Sequence, residues 1–252
     1  MTARNTDTPS ALPNPNALRN LVIAALIAVT LYFVPYVGFL TYPLRLLVTF
    51  IHEGSHALMT VLTGGQVVSL VIRPDGSGLT LSGGGIGLLI SPAGYLGATL
   101  FGALLVAALR RGVSGKHLLL LTGGIIGLLT LCFVRPWPVN ELANFPLSLG
   151  GGIILSAALI LAGLRLKEAT AGFVAAFIGV QCILNALFDL NTLFQLSVLT
   201  GTPTDAQNMQ AMTFIPAVVW SVLWLAVAAV LLWRVVLVPA FRDARVGIVG
   251  GR

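Results

Sequence analysis

The sequence has few charged residues: 9% of its 252 residues are Asp, Glu, Lys or Arg, and only eight of these are acidic. Soluble globular domains carry about 25% charged residues. This scarcity, with 57% hydrophobic residues and a mean hydropathy of +0.96, excludes a water-soluble protein. No long polar linker divides the chain. We therefore predict one membrane-embedded domain over residues 19–240, between a disordered N-terminal tail (1–18) and a short basic C-terminal tail (241–252).

Cysteine is equally scarce. Cys132 and Cys182 both lie in apolar segments and form no CxxC pair, so we interpret them as small buried residues. Glycine is abundant, but no glycine-rich stretch is followed by Lys-Ser or Lys-Thr. This absence excludes a phosphate-binding loop and favours close packing of helices through small residues.

The net charge of +6 does not indicate a nucleic-acid-binding protein. The 14 Lys and Arg residues are scattered at the ends of apolar runs, which is how membrane proteins place positive charge beside their helices. A basic patch for nucleic acid would be clustered instead. The partner that this distribution predicts is the lipid bilayer.

Seven apolar runs follow the N-terminal tail, and most approach the roughly 20 residues that span a bilayer. They predict an all-α polytopic membrane protein with about seven transmembrane helices. The runs cover residues 21–40, 42–63, 86–109, 118–134, 147–164, 171–198 and 214–238.

Two segments depart from this helical pattern. Residues 66–81 contain short β-branched runs around the turn sequence at 73–78, which predicts a short β-hairpin after the second apolar run. The sequence Thr204-Asp205-Ala206-Gln207 has the form of a capping box, so we predict that a helix begins there.

Two acidic residues, Glu53 and Asp189, lie well inside apolar runs. An ionised acid at the centre of a membrane helix costs about 2.5–3.5 kcal/mol on insertion scales, so a functional role is the default interpretation. The other six acids fit tails, turns or loops.

His52 and His56 flank Glu53 in an HExxH motif. Residues i and i+4 share one face of a helix, so both imidazoles can reach one metal ion while Glu53 lies near enough to activate water. The alternative is a pair of hydrogen-bonded core histidines beside an unrelated glutamate. That alternative would leave three ionisable groups in an apolar helix without a shared partner.

A catalytic zinc site needs three protein ligands and one open position. Asp189 is the first candidate for the third ligand, and Asn185 shares its helix face at i−4, where it would orient the carboxylate or bind the substrate carbonyl. Asp189 could instead cap its helix end, and Asn185 could form an interhelical hydrogen bond. Asp205 is the fallback ligand, although its position also fits the first turn of a helix.

These motifs resemble those of the site-2 protease family of intramembrane zinc metallopeptidases, in its compact branch without a PDZ domain. Two departures from the family pattern are Ser55, where Gly is usual, and the loss of Pro and of a Gly after Asp189 from the distant Asn-Asp signature. The motifs that carry the likeness are His52-Glu53-Gly54-Ser55-His56-Ala57-Leu58, Thr63-Gly64-Gly65, Pro74-Asp75-Gly76-Ser77-Gly78, Asn185 to Asp189, and Thr204 to Pro216.

The resemblance implies that His52, His56 and Asp189 bind Zn²⁺ and that Glu53 is the general base. It implies hydrolysis of transmembrane protein substrates, as in regulated intramembrane proteolysis, with selection by the membrane domain itself or by an adaptor protein. We expect a multi-pass protein of the plasma (inner) membrane of a bacterium. The hairpin would pair with an unwound substrate strand, or would only plug the site. The alternative functions are an inactive membrane scaffold of the same fold and a metal-binding transporter.

Overall fold

The computed structural model describes residues 38–199 and 204–238, together with Ile23, Leu26, Ile27 and Thr30. Within helices, the side chains of residues 38–40, 185–199 and 236–237 are not described. The two predicted tails, residues 1–18 and 241–252, lie outside the described residues.

Seven α-helices and one two-stranded sheet make up most of the described chain. A 3₁₀ helix, Val139–Asn144, leads directly into α4, and a π-helical turn, Trp233–Leu237, extends α7. The elements are α1 Gly38–Leu62, β1 Gln66–Ile72, β2 Gly78–Gly83, α2 Gly87–Arg110, α3 Gly115–Phe133, α4 Phe145–Arg165, α5 Glu168–Leu199, α6 Asp205–Thr213 and α7 Ala217–Leu232.

Four of the described segments are long and apolar enough to cross a bilayer: Gly87–Arg110, Gly115–Phe133, Val139–Arg165 and Ala217–Val235. The prediction of a helical integral membrane protein with a short hairpin is therefore confirmed. The predicted total of seven spans stays a prediction, because these four alone meet the criteria of length and hydropathy in the described part of the chain.

The apolar core lies between α1 and the helices α2 to α5. Phe50 of α1, Leu119 and Ile126 of α3, and Cys182 of α5 are fully buried there. Cys132, by contrast, is exposed, so the prediction that both cysteines are buried was wrong for this residue. The outer surface of a membrane helix is itself apolar, so an apolar segment does not show which of its faces is buried.

Helices α2 and α5 approach each other closely through glycine. A Cβ atom on Gly102 would overlap the carbonyl oxygen of Gly179 and would lie 2.9 Å from Cβ of Cys182. A Cβ atom on Gly179 would in turn lie 2.9 Å from the carbonyl oxygen of Gly102. Backbone contact of this kind is the usual role of small residues between membrane helices.

The hairpin forms where the turn sequence predicts it. Its strands pair antiparallel from Gln66 opposite Gly83 to Ile72 opposite Gly78, with an irregularity near Val67. The free polar groups of β1 are satisfied by neighbouring helices. The Ser148 hydroxyl of α4 accepts a hydrogen bond from the Ile72 N–H at 2.8 Å.

Arg73, the first residue of the turn sequence, ties the hairpin to the 3₁₀ helix. Its Nη2 lies 2.6 Å from Oε1 of Glu141, and Asn144 donates to Oε2 of the same carboxylate at 2.7 Å. Glu141 is therefore a buried ion-pair partner rather than a simple loop acid. This pair and the Ser148 contact fix the hairpin against α4.

We expect Gly102→Val to destabilise the protein by about 1–3 kcal/mol, because the added side chain must separate α2 from α5. Thermal unfolding in detergent, followed by tryptophan fluorescence, measures the change. Gly124→Val is the matched control, since no atom outside its own helix backbone lies within 4 Å of a Cβ at Gly124. Equal stability of the two variants would contradict the close approach of α2 and α5.

Candidate metal centre

The two histidines of the HExxH motif converge on one point. Because α1 is helical throughout the motif, His52 and His56 lie one turn apart on the same face, and their Nε2 atoms are 3.2 Å apart. Glu53 lies beside them and is only 6% exposed. The predicted grouping of these three side chains is thus present in the fold.

The carboxylate of Asp205 lies beside the two imidazoles. Thr204 caps α6, with its hydroxyl accepting from the Gln207 N–H at 3.3 Å, so the predicted helix start is confirmed. This cap fixes where α6 begins, and packing of α6 against α2 and α7 sets its position. Oδ2 of Asp205 then lies 3.4 Å from Nε2 of His52 and 3.2 Å from Nε2 of His56.

The chemistry of these three atoms fits a divalent cation. Zinc bonds of 2.0–2.2 Å to N and O in tetrahedral geometry separate the ligand atoms by about 3.3–3.5 Å. The observed separations of 3.2–3.4 Å match the edges of such a tetrahedron. Two histidines and one carboxylate are also a ligand set of catalytic zinc sites. His52, His56 and Asp205 are therefore able to hold one metal ion.

Further contacts orient the two imidazoles. Nδ1 of His56 lies 2.7 Å from the carbonyl oxygen of Ile90. A carbonyl only accepts, so Nδ1 carries the proton and Nε2 of the neutral ring keeps its lone pair for a metal. The ring of His52 packs edge-on against Tyr95, with centroids 4.6 Å apart, and Tyr95 stacks on Trp224 of α7 at 5.5 Å.

Asp205 is held in its charged form. Burial favours the neutral acid, but the positive charge of a protonated His56 ring and hydrogen bonds from both imidazoles hold the pKa of the Asp205 carboxyl below its usual range. An ionised carboxylate beside two nitrogen atoms is the state that binds a cation.

Two glycines leave room for the centre, and the sequence did not single out either of them. A Cβ atom on Gly94 of α2 would overlap Nε2 of both His52 and His56, and one on Gly78 of β2 would overlap the side chain of Glu53. Glycine is one of the commonest residues in this chain, with 28 occurrences, so neither position carries a local signal.

Thr80 of β2 positions Glu53, and it too was missed. Its hydroxyl lies 2.7 Å from Oε2 of Glu53 and 3.0 Å from the main-chain carbonyl oxygen of the same residue. A hydroxyl has one proton and two such acceptors here, so it donates to the carboxylate or to the carbonyl. The hairpin thus touches the candidate general base directly.

A cavity of about 710 Å³ opens onto the centre. Its walls come from α1, the hairpin, the beginning of α2, and α6. Polar residues line much of it, including Thr49, Ser77, Ser91 and Asn208. A polar cavity of this volume has room for a short peptide segment together with water.

The remaining predicted site residues are on α5. Asn185 and Asp189 fall within this helix, but their side chains lie outside the described residues. The assignment of Asp189 as third ligand and of Asn185 as a catalytic residue therefore stays a prediction. The fallback ligand, Asp205, is the acid found beside the two histidines.

Comparison with known proteins identifies the family of this chain. No curated protein and no solved structure matches the chain. The family model described as Peptidase M50B-like matches residues 22–235, which include the HExxH motif, the hairpin and α6. The chain therefore belongs to the Peptidase M50B-like family, and so to the site-2 proteases that its motifs resemble.

Proposed function

We propose that this protein is an intramembrane zinc metalloprotease that hydrolyses peptide bonds of membrane-spanning proteins. The observation that carries the proposal is the meeting of Nε2 of His52, Nε2 of His56 and Oδ2 of Asp205 within 3.4 Å of one another, beside the buried Glu53. We take Asp205 as the third ligand because its carboxylate supplies the third corner. Asp189 is the alternative.

The residues divide the reaction between them. A bound Zn²⁺ supplies a Lewis acid that polarises the peptide carbonyl and lowers the pKa of water towards about 7. Glu53 takes the proton of the attacking water and passes it to the nitrogen of the leaving amine. Thr80 holds the carboxylate of Glu53 towards the cavity through its hydrogen bond of 2.7 Å. Asn185, on α5, would assist by binding the substrate carbonyl.

The membrane setting limits how a substrate reaches the site. A transmembrane helix uses its carbonyl groups in its own hydrogen bonds, so it must unwind locally before one of them is attacked. Strand β2 lines the cavity and offers main-chain groups to an unwound strand. Selection is then intrinsic to the membrane domain, or an adaptor protein contributes to it.

Three further spans complete the proposed topology. Residues 21–40 supply the first, α1 the second and α5 the sixth, giving seven together with the four long apolar segments. The proposed location is the plasma (inner) membrane of a bacterium.

We expect about one zinc per chain in the purified protein, measured by elemental analysis in detergent. His52→Ala and Asp205→Ala should lose most of it, because two ligands rarely retain zinc. Glu53→Gln should keep it, because the glutamate is not a ligand. Asp189→Ala is the decisive comparison: zinc kept there and lost in Asp205→Ala assigns the ligand to α6.

The opposite result for the two aspartates would restore Asp189 as the ligand. The zinc site would be contradicted if the wild-type protein held no stoichiometric zinc and bound none on addition. That result would favour the alternative function, an inactive membrane scaffold of the same fold.

We expect Glu53→Gln to lower peptide cleavage about 10²–10⁴-fold, the usual contribution of a general base. The assay uses model transmembrane peptides in detergent with mass spectrometry of the products. A transporter or scaffold does not depend on a general base. Zinc content equal to that of the wild type is the control, and unchanged cleavage in the variant would remove Glu53 from the mechanism.

We expect Thr80→Val to lower kcat about 10–100-fold without loss of zinc, because it removes a hydrogen bond to a charged group. Valine has the same shape, so packing of the hairpin is preserved. Thr80→Ser keeps the hydroxyl and should restore most of the rate. Equal rates in the Val and Ser variants would show that the hydroxyl does not position Glu53.

A further inference from the structure

A positively charged side chain, that of Arg45, lines the same cavity as the metal centre. Arg45 precedes His52 by seven residues on α1, which places it two turns away on the same face of the helix. Arg45, His52 and Glu53 all line the cavity of about 710 Å³. The arginine is exposed, whereas Glu53 is buried.

The hairpin turn directs the Arg45 side chain. A Cβ atom on Gly76 would lie 2.7 Å from Nε and 2.8 Å from Cδ of Arg45, so the arginine stem packs directly on the turn. The Thr49 hydroxyl lies 2.8 Å from the carbonyl oxygen of Gly76 and 2.9 Å from that of Arg45, and it donates its one proton to either of them. Gly76 has φ +82°, a conformation that other residues rarely adopt. The turn therefore leaves room for the aliphatic part of the Arg45 side chain to pack on Gly76.

The described residues do not neutralise this guanidinium at close range. No described acid lies within 4.0 Å of it, the limit for an ion pair. Asp75 acts on it electrostatically, but Oδ1 of Asp75 already accepts hydrogen bonds from both N–H and hydroxyl of Ser77. Arg45 thus keeps donors for a ligand.

The charges of the cavity point the same way. Glu53 and Asp205 are the acids among its lining residues. Their two negative charges match one divalent cation held by the histidines and Asp205. Asp75, which does not line the cavity, offsets part of the positive charge of Arg45 without forming an ion pair with it, so the guanidinium remains available to an anion of the substrate.

The distance between Arg45 and His52 along α1 corresponds to a position in a bound substrate. Seven residues of helix span about 10 Å at 1.5 Å per residue. An extended peptide covers that distance in about three residues, at about 3.3 Å each. A substrate strand attacked beside His52 and Glu53 would therefore place its third neighbouring residue at Arg45.

We propose that Arg45 is a specificity-determining residue that binds an acidic side chain of the substrate, about three residues from the cleaved bond. This inference rests on the proposed protease function and names its substrate class: transmembrane proteins with an Asp or Glu beside the unwound segment. Arginine is suited to the task because its planar guanidinium forms paired hydrogen bonds with a carboxylate. An acid inside a membrane segment in turn needs such a partner.

The test measures binding separately from cleavage. Full-length Glu53→Gln protein with zinc in the buffer is titrated with fluorescent model transmembrane peptides that carry one central Asp, Asn or Lys. We expect the Asp peptide to bind about tenfold more tightly than the Asn peptide, the effect of one charge-assisted hydrogen bond. Adding Arg45→Gln should remove this preference, Arg45→Lys should keep part of it, and Arg45→Glu should transfer it to the Lys peptide.

Arg165→Gln is the matched control, because Arg165 is exposed at the end of α4 and does not line the cavity. It should leave the ratio of Asp to Asn affinities unchanged. In wild-type protein, moving the Asp by one residue should move the cleaved bond by one residue, as mass spectrometry of the products would show.

Equal affinities for Asp and Asn peptides would overturn the inference, as would an Asp preference that survives Arg45→Gln. Affinity that follows the phosphatidylglycerol content of vesicles, and not the Asp, would assign Arg45 to lipid headgroups instead. Charge-dependent binding without cleavage by the wild type would leave Arg45 as an anion-binding residue and reject the protease. Cleavage by the wild type with no preference for the Asp peptide would support the protease and overturn the role of Arg45.

Discussion

Three electron-pair donors meeting at one point constrain this fold more than any other contact. Nε2 of His52, Nε2 of His56 and Oδ2 of Asp205 lie within 3.4 Å of one another, so all three lone pairs can be shared by one metal ion. A proton on either Nε2 would instead satisfy Asp205 by a hydrogen bond. The arrangement therefore requires α1 and α6, which are about 150 residues apart, to be held at fixed separation. The stack of Trp224 on Tyr95, and the missing Cβ of Gly94, serve that separation.

A hairpin beside such a centre is expensive in a membrane protein, because strand edges expose main-chain polar groups that lipid does not satisfy. The protein meets part of this cost at the end of β1, where Ser148 of α4 accepts from the Ile72 N–H. The side chains of Ser69 and Arg73 also hold β1 in place, through the carbonyl oxygen of Arg135 and through Glu141. Strand β2 faces the cavity instead, where water or a peptide can satisfy it. The two edges thus have different roles, one structural and one open to ligands.

Local signals determined what was predictable. The i, i+4 spacing of His52 and His56 fixes their common face in any helix, and the cap at Thr204 fixes where α6 begins, so both were visible in the sequence. The meeting of Asp205 with the two histidines was not visible, because Asp205 also fits the first turn of a helix and only tertiary packing brings it to α1. Thr80 and Gly94 carry no motif at all, since a strand threonine and a helix glycine have many other uses. Their role comes from contacts between elements distant in sequence.

The same hairpin reaches both ends of the cavity. Thr80 touches the carboxylate of Glu53, while Gly76, four residues earlier, supports the stem of Arg45. Both contacts belong to one short antiparallel hairpin. The ion pair of Arg73 and Glu141 attaches the turn end of this hairpin to the 3₁₀ helix. A displacement of the hairpin would therefore move Thr80, which contacts the general base Glu53, together with Gly76, which supports Arg45. If Arg45 binds a substrate carboxylate as proposed, one hairpin supports both substrate selection and proton transfer, because its contacts with Thr49, Ser148 and Glu141 hold both supports in one rigid element.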